Sequence, residues 1–168
     1  MSLIGYIGFR SQQPVDRLLA ASVAALRERG IHVAGVLQLL PENRAADESI
    51  MNLRDIEDGT LLCYSQALGA GAEGCSLDPQ ALADVAQRIT ASLERKPQLV
   101  VINRFGKAEA EGHGLRRIIE NAMLAEVPLL VAVRDDFSAD WDAFHGGMAE
   151  RLPYDEAAVL QWCDEVTA

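Results

Sequence analysis

The chain has 168 residues, 49% of them apolar and 5% aromatic, with a formal charge of −10. This is enough chain for one domain with a substantial core, and the composition excludes a disordered polypeptide; no apolar run reaches the ~20 residues that a bilayer crossing requires. The acidic balance argues against nucleic acid or an anionic membrane as partner, because both need a basic face, yet it leaves room for a small anion held by a few arginines in one cleft.

Leu3–Phe9 is an apolar run carrying Gly5 and Gly8, read as a first strand closely approached by another backbone. Arg10–Gln13 is polar. Pro14 then suits the first turn of a helix and Asp16 the positive end of its dipole; Val15, Leu18, Leu19, Val23 and Leu26 form its apolar stripe and Gly30 its C-cap. Ile31–Leu39 reads as a second strand and Pro41–Asp47 as a solvated loop. Ile50–Ile56 and Thr60–Tyr64 flank Glu57-Asp58-Gly59, the signature of a β-hairpin, here an antiparallel insertion in an alternating β/α chain.

Ser65–Ser76 carries Gly69, Gly71 and Gly74 without periodicity and reads as a flexible loop, with its role as a lid left open. Asp78 caps and Pro79 opens a helix that turns Leu82, Val85, Ile89 and Leu93 inward. Gln98–Ile102 is a short, β-branched strand buried on both faces, ending at Asn103. A helix follows from Leu115 to about Ala125 with Ile118, Ile119 and Met123 inward, then the strand Val127–Val133 with Pro128 near its start. Asp135–Gly147 places Trp141 and Phe144 on one helical face, Leu152-Pro153 is a short edge strand, and Asp155–Val166 a last helix through Ala158, Val159 and Trp162. Four apolar strands alternating with amphipathic helices give a single α/β domain over 1–168, with a mostly parallel sheet and helices on both faces.

Ligand sites in such sheets collect at the carboxyl ends of central strands, which directs attention to Pro97–Arg117. Behind Asn103 come Arg104, Lys107, Glu109, Glu111 and His113, spaced by Gly106, Gly112 and Gly114, and then Arg116. These residues are either a ligand site or a structural ion network in which Arg104, Lys107 and Arg116 pair with Glu109 and Glu111. Glu109, Glu111 and His113 do not match HExxH spacing, so no metal site is assigned. Cys63, Cys75 and Cys163 lie outside any CxxC spacing and read as small apolar residues, not disulfides or zinc ligands.

His32 reads as the start of a strand and His145 as a loop residue, neither with a partner; Trp141, Phe144 and Trp162 read as core aromatics. The N-terminus has no signal-peptide pattern, so a cytoplasmic location is expected.

The first strand–loop–helix is where a phosphate cradle would sit. A Walker-type loop needs converging glycine N–H groups, a lysine and a hydroxyl. With Gly8 as the first glycine, Gln13, Pro14 and Val15 occupy the Gly, Lys and Ser/Thr positions, and the only lysines in the chain are Lys96 and Lys107. Arg10, Ser11 and Gln12 precede a helix N-terminus, which reads either as an anion-holding turn or as an ordinary solvated loop.

Two blocks carry a resemblance. Gly74-Cys75-Ser76-Leu77-Asp78-Pro79 and the run from Asn103 to Arg116, NRFGKAEAEGHGLR, resemble the hallmark segments of a bacterial family of unknown function whose genes tend to lie beside molybdate-transport genes. That family is in turn similar to small P-loop nucleoside-triphosphatases, in which a central strand ends in Asp-Glu-Ile-Gly-x-x-Glu. Here Gly106 and Glu109 match, while Asn103 and Arg104 replace the two carboxylates, which removes a magnesium site and adds positive charge. The resemblance implies a P-loop NTPase-like three-layer sandwich with a β-hairpin insertion and degenerate Walker motifs.

Two classes of function follow as expectations. The first is a binding module for a small oxyanion (molybdate, sulfate or phosphate), a nucleotide or another phosphorylated ligand, held by Arg10, Ser11, Gln12, Asn103, Arg104, Lys107 and Arg116, with Glu111 and His113 as accessory groups. The second is a nucleotide or phosphate-ester hydrolase with Glu109 as general base. A protein-interaction module with a vestigial cleft, and a homodimer, stay open. The binding reading requires the turn at Ser11 and the one at Asn103 to stand side by side on one rim of the sheet.

Overall fold

A computed structural model of the chain describes residues 2–40, 52–63, 65–67, 75–77 and 79–168. The expected loop Pro41–Asp47 and the helix cap at Asp78 lie outside them. The described strands are β1 (Ile4–Phe9), β2 (Val33–Gln38), β3 (Asn52–Asp55), β4 (Leu61–Cys63), β5 (Ser65–Ala67), β6 (Cys75–Leu77), β7 (Leu99–Phe105), β8 (Leu129–Arg134) and β9 (Ala149–Leu152). The helices are α1 (Val15–Glu28), α2 (Pro79–Glu94), α3 (Lys107–Ala110), α4 (Arg116–Leu124), α5 (Ser138–His145) and α6 (Glu156–Thr167). A 3-10 turn, Asp135–Phe137, leads into α5.

The main sheet runs β4-β3-β2-β7-β8-β1-β9. β2, β7, β8, β1 and β9 are parallel, and the hairpin β3–β4 is antiparallel on one edge, as the Asp-Gly turn predicts. Alternation of side chains divides the core into two layers. Val36, Val100, Ile102, Leu129 and Val131 meet Val85, Ile89, Ile118, Ile119 and Trp141 from α2, α4 and α5. Ile7, Val33, Leu99, Val101 and Leu130 meet Leu19, Leu26, Val159 and Trp162 from α1 and α6. This is the three-layer α/β sandwich with its hairpin insertion. Among the described residues no helix is long and apolar enough to cross a membrane.

Several elements differ from their sequence reading. Part of the supposed loop Ser65–Ser76 is paired: β5 and β6 form a small antiparallel ladder with Ser65 opposite Leu77. Three-residue strands are too short to show periodicity, so the glycines dominated the local signal. β1 is not approached by another backbone at its glycines; a Cβ on Gly5 would meet the Trp162 indole at 2.8 Å and one on Gly8 the Arg151 guanidinium at 2.5 Å. Neither histidine is partnerless: His32 Nε2 lies 2.7 Å from Glu57 Oε2, and His145 is not a loop residue. It ends α5, is buried, and its Nδ1 accepts the N–H groups of Gly147 (3.0 Å) and Ala149 (3.2 Å), which fixes the proton on Nε2 facing Asp142. Cys163 is a buried packing residue, its thiol pushed up to about 12 mainly by burial.

At the amino end of the parallel strands the hairpin is fastened to α2. Glu57 accepts from Arg95 Nη2 (2.5 Å), from the Ser92 hydroxyl and lies 2.7 Å from His32 Nε2, while Arg88 reaches Asp55 and Asp58. Burial alone would raise the Glu57 pKa, but the hydrogen bonds of Arg95, Ser92 and His32 outweigh it and hold the group at about 2, below its ordinary 4.5. A depressed carboxylate contributes stability above the unfolded-state pKa and loses it as pH falls through the folded one. Between pH 4.5 and about 2 the chain is therefore expected to lose on the order of 2–3 kcal/mol through Glu57. Urea denaturation at steps across that window should show a flatter stability profile for Glu57→Gln than for the parent chain; parallel profiles would refute the assignment.

Candidate functional site at the carboxyl rim of the sheet

Because β1, β7 and β8 are parallel, their carboxyl ends open on one edge. β1 ends at Phe9, and the chain turns through Arg10–Pro14 into α1. Gln13 Oε1 accepts the Arg10 N–H (2.8 Å) and the Gln13 N–H returns to the Arg10 carbonyl (2.9 Å), so Gln13 closes the turn and leaves Arg10, Ser11 and Gln12 exposed. α1 starts without a side-chain cap.

β7 does not stop at Asn103, as its apolar pattern had implied, but continues to Phe105. Its register against β8 passes from Ile102 opposite Val131 to Phe105 opposite Val133, three residues against two, which is a β-bulge spanning Asn103 and Arg104. Bulges re-aim side chains and are frequent beside functional sites. Asn103 is fully buried; its Nδ2 stands 3.5 Å from Gln38 Oε1 and its Oδ1 has no partner among the described residues.

Arg104 reaches past the end of β8 to the first turn of α1, where its Nη2 donates to both Asp16 oxygens at 3.2 and 3.1 Å. Its guanidinium lies 5.6 Å from the Phe9 ring, and its Nε is buried with no acceptor among the described residues. The turn after β1 and the bulge of β7 are thus neighbours on one rim.

The segment after the bulge is ordered by Glu109. This residue is 4% exposed; Oε1 accepts the N–H of Gly106 (2.8 Å) and Oε2 the N–H of Leu115 (2.9 Å), so one carboxylate ties both ends of the loop together. Burial raises its pKa, against the lowering pull of the Leu115 and Gly106 N–H groups and of the Arg104 charge. Gly114 has φ +60°, and a Cβ there would fall 1.9 Å from Glu109 Oε2. Arg116 lies over the Phe144 ring at 4.8 Å and donates to the Glu109 carbonyl at 3.3 Å, bracing the same loop. Lys107, Glu111 and His113 are exposed on its outer side.

The structure therefore brings Arg10, Ser11, Gln12, Asn103 and Arg104 to one rim, turns Glu109 and Arg116 inward as supports, and leaves Lys107, Glu111 and His113 facing solvent. The ion network imagined within the loop forms elsewhere: Arg104 pairs with Asp16, and Arg116 with Glu120 at 3.6 Å. Asp16 is the member that sequence reasoning missed. An acid in a first helical turn is ordinary dipole chemistry, and nothing local links it to position 104.

The three-layer α/β architecture is shared with two solved structures. A human cancer-related nucleoside triphosphatase superposes with a TM-score of 0.65 at 11% identity, covering 96% of this chain and 93% of that one. THEP1 from the hyperthermophile Aquifex aeolicus gives 0.63 at 10% identity, with 97% and 95% covered. At such identities the likeness is one of fold. The chain itself belongs to the family described as "Protein of unknown function (DUF2478)", which matches residues 4–162. It is also 31% identical over 159 residues to the molybdenum import ATP-binding protein ModC 2 of Bradyrhizobium diazoefficiens. That match takes in 95% of this chain but only 18% of the relative, so the chain spans less than a fifth of that protein's length.

Proposed function

We propose that the chain is a binding module on a P-loop-like scaffold, taking a small oxyanion or phosphorylated ligand at the rim between the Arg10–Pro14 turn and the Asn103–Arg104 bulge. The observation that carries this is the bulge itself. Among the described residues it leaves Arg104 Nε, a buried donor, without an acceptor beside a helix start that has no side-chain cap; Arg134 Nε and the indole N–H groups of Trp141 and Trp162 are likewise unpaired, and the orphaned Asn103 Oδ1 is an acceptor that offers nothing to an oxyanion. Orphaned buried polar atoms are rare in native folds and call for a use. Arg10 forms no ion pair among the described residues and can close on an anion at the rim; Ser11 and Gln12 beside it add exposed neutral hydrogen-bonding groups.

The turn at Arg10–Pro14 holds neither glycine nor lysine, so it does not supply the converging N–H groups and cation that cradle a triphosphate. In this reading the fold is kept and the nucleotide machinery is lost. In this reading Glu109 is a structural tie and not a general base, because it is 4% exposed and its two oxygens hold backbone N–H groups from both ends of the loop. The match to a segment of a molybdenum import ATP-binding protein is the ground for including molybdate among the ligands tested.

Titration calorimetry of the chain with molybdate, tungstate, sulfate, phosphate and ATP tests the proposal. At least one is expected to bind, and Arg104→Gln should weaken that binding at least ~10-fold, the value of one charge-assisted hydrogen bond. Absence of heat with all five ligands removes the proposal.

A further inference from the structure

Asp16 already occupies the guanidinium that an anion would need. Both its oxygens accept from one nitrogen of Arg104, which has five N–H donors in all, and Asp16 itself is only partly buried, with 23% of its side chain exposed. A carboxylate offers about four lone-pair sites, so the Arg104 contacts leave acceptor capacity turned to whatever enters beside it. Its charge also reaches Tyr154, whose phenol pKa is raised by burial first and by Asp16 second, so this neighbour stays a neutral O–H.

A ligand oxygen bonded to Arg104 must therefore stand within a few ångströms of Asp16. For an oxyanion without protons this is a like-charge contact in a half-buried place, where screening by water is weak. An O–H on the ligand converts the same contact into a charge-assisted hydrogen bond donated to the carboxylate.

We propose that Asp16 is a specificity-determining residue that makes the rim select oxyanions retaining a hydroxyl, inorganic hydrogen phosphate being the class that fits, over fully ionised tetrahedral oxyanions such as sulfate and molybdate. This rests on the anion-binding reading and deepens it. Hydrogen phosphate keeps at least one O–H throughout the neutral range, whereas sulfate and molybdate present acceptors only. Arg104 supplies the attraction common to all three, and Asp16 supplies the difference.

The test is calorimetry at pH 7 with inorganic phosphate, sulfate and molybdate on the full chain and on Asp16→Asn. The parent chain should bind phosphate at least ~10-fold tighter than the other two, since a site built around a ligand hydroxyl rejects analogues lacking it. Asp16→Asn, which keeps a hydrogen-bonding oxygen for Arg104 but offers an N–H to the ligand, should bring the three affinities within about 3-fold, chiefly by strengthening sulfate and molybdate. Equal binding of the three by the parent chain, or tighter binding of molybdate, overturns the assignment to Asp16 while leaving anion binding intact. An unchanged phosphate preference in Asp16→Asn overturns it equally. Silence of the parent chain and the variant toward all three removes the binding reading beneath it. The parent-chain comparison decides the matter even if the variant does not fold.

Discussion

Glu109→Ala is expected to destabilise the chain by about 3–5 kcal/mol, and Glu109→Gln by about 1–3 kcal/mol, in urea or thermal denaturation. Alanine removes both acceptors and leaves the Gly106 and Leu115 N–H groups buried without partners, each costing on the order of 1–3 kcal/mol, with a small cavity added. Glutamine keeps one oxygen but must set its NH2 against the other N–H. Against that clash stands a saving: burial opposes the ionised carboxylate, and the neutral amide avoids its desolvation. The clash wins by a reduced margin, hence the smaller loss. For a protein of this size the alanine variant should melt about 6–20 °C lower. The contrast between the two variants separates a clamp from a general base. A base would lose its chemistry equally on either substitution and leave the melting temperature nearly unmoved. Should both variants melt with the parent chain, the clamp is excluded.

What the sequence made legible was whatever local spacing controls. Four of the five parallel strands, β1, β2, β7 and β8, announce themselves as apolar runs, the β3–β4 hairpin by Asp58-Gly59, and α1, α2, α4 and α6 by a 3.6-residue stripe. The rim was legible only in outline. Two polar residues after Ile102 look like the end of a strand, yet the ladder resumes at Phe105, because a bulge absorbs one residue and returns the next aromatic to the core. α3 is four residues long, below the length at which periodicity exists.

Glu109 sits among charged neighbours that face water, and only the fold of the loop around Gly112 and Gly114, both at positive φ, turns it inward. Asp16 and Arg104 meet across 88 positions of chain. Such a pairing is set by strand order, which no local pattern encodes. The ion pair at the rim was for that reason the hardest feature to foresee.

Gly35→Ala is expected to abolish folding or to cost more than about 4 kcal/mol, the largest effect of any alanine substitution at a glycine in β1 or β2. Gly35 lies inside β2, opposite Val101 of β7, with φ +117°, a conformation in which L side chains are strained. A Cβ there would fall 2.0 Å from the Val101 carbonyl oxygen and 2.9 Å from two further Val101 backbone atoms. Backbone of a central strand cannot withdraw without breaking the β2–β7 ladder, and that ladder also sets the distance between Gln38 and Asn103 at the rim.

Two control glycines isolate the cause. Gly30 shares a positive φ, +79°, but has open space around its missing Cβ, so Gly30→Ala should cost only about 1–2 kcal/mol of backbone strain. Gly8 has no positive φ and would meet Arg151, a flexible side chain that can swing away, so Gly8→Ala should fall below about 1 kcal/mol. Soluble yield and urea midpoints for the three variants therefore rank Gly35 far above Gly30, and Gly30 above Gly8. If Gly35→Ala folds with a midpoint near that of Gly30→Ala, the close approach of β2 to Val101 is refuted, and with it the spacing that brings Gln38 to Asn103.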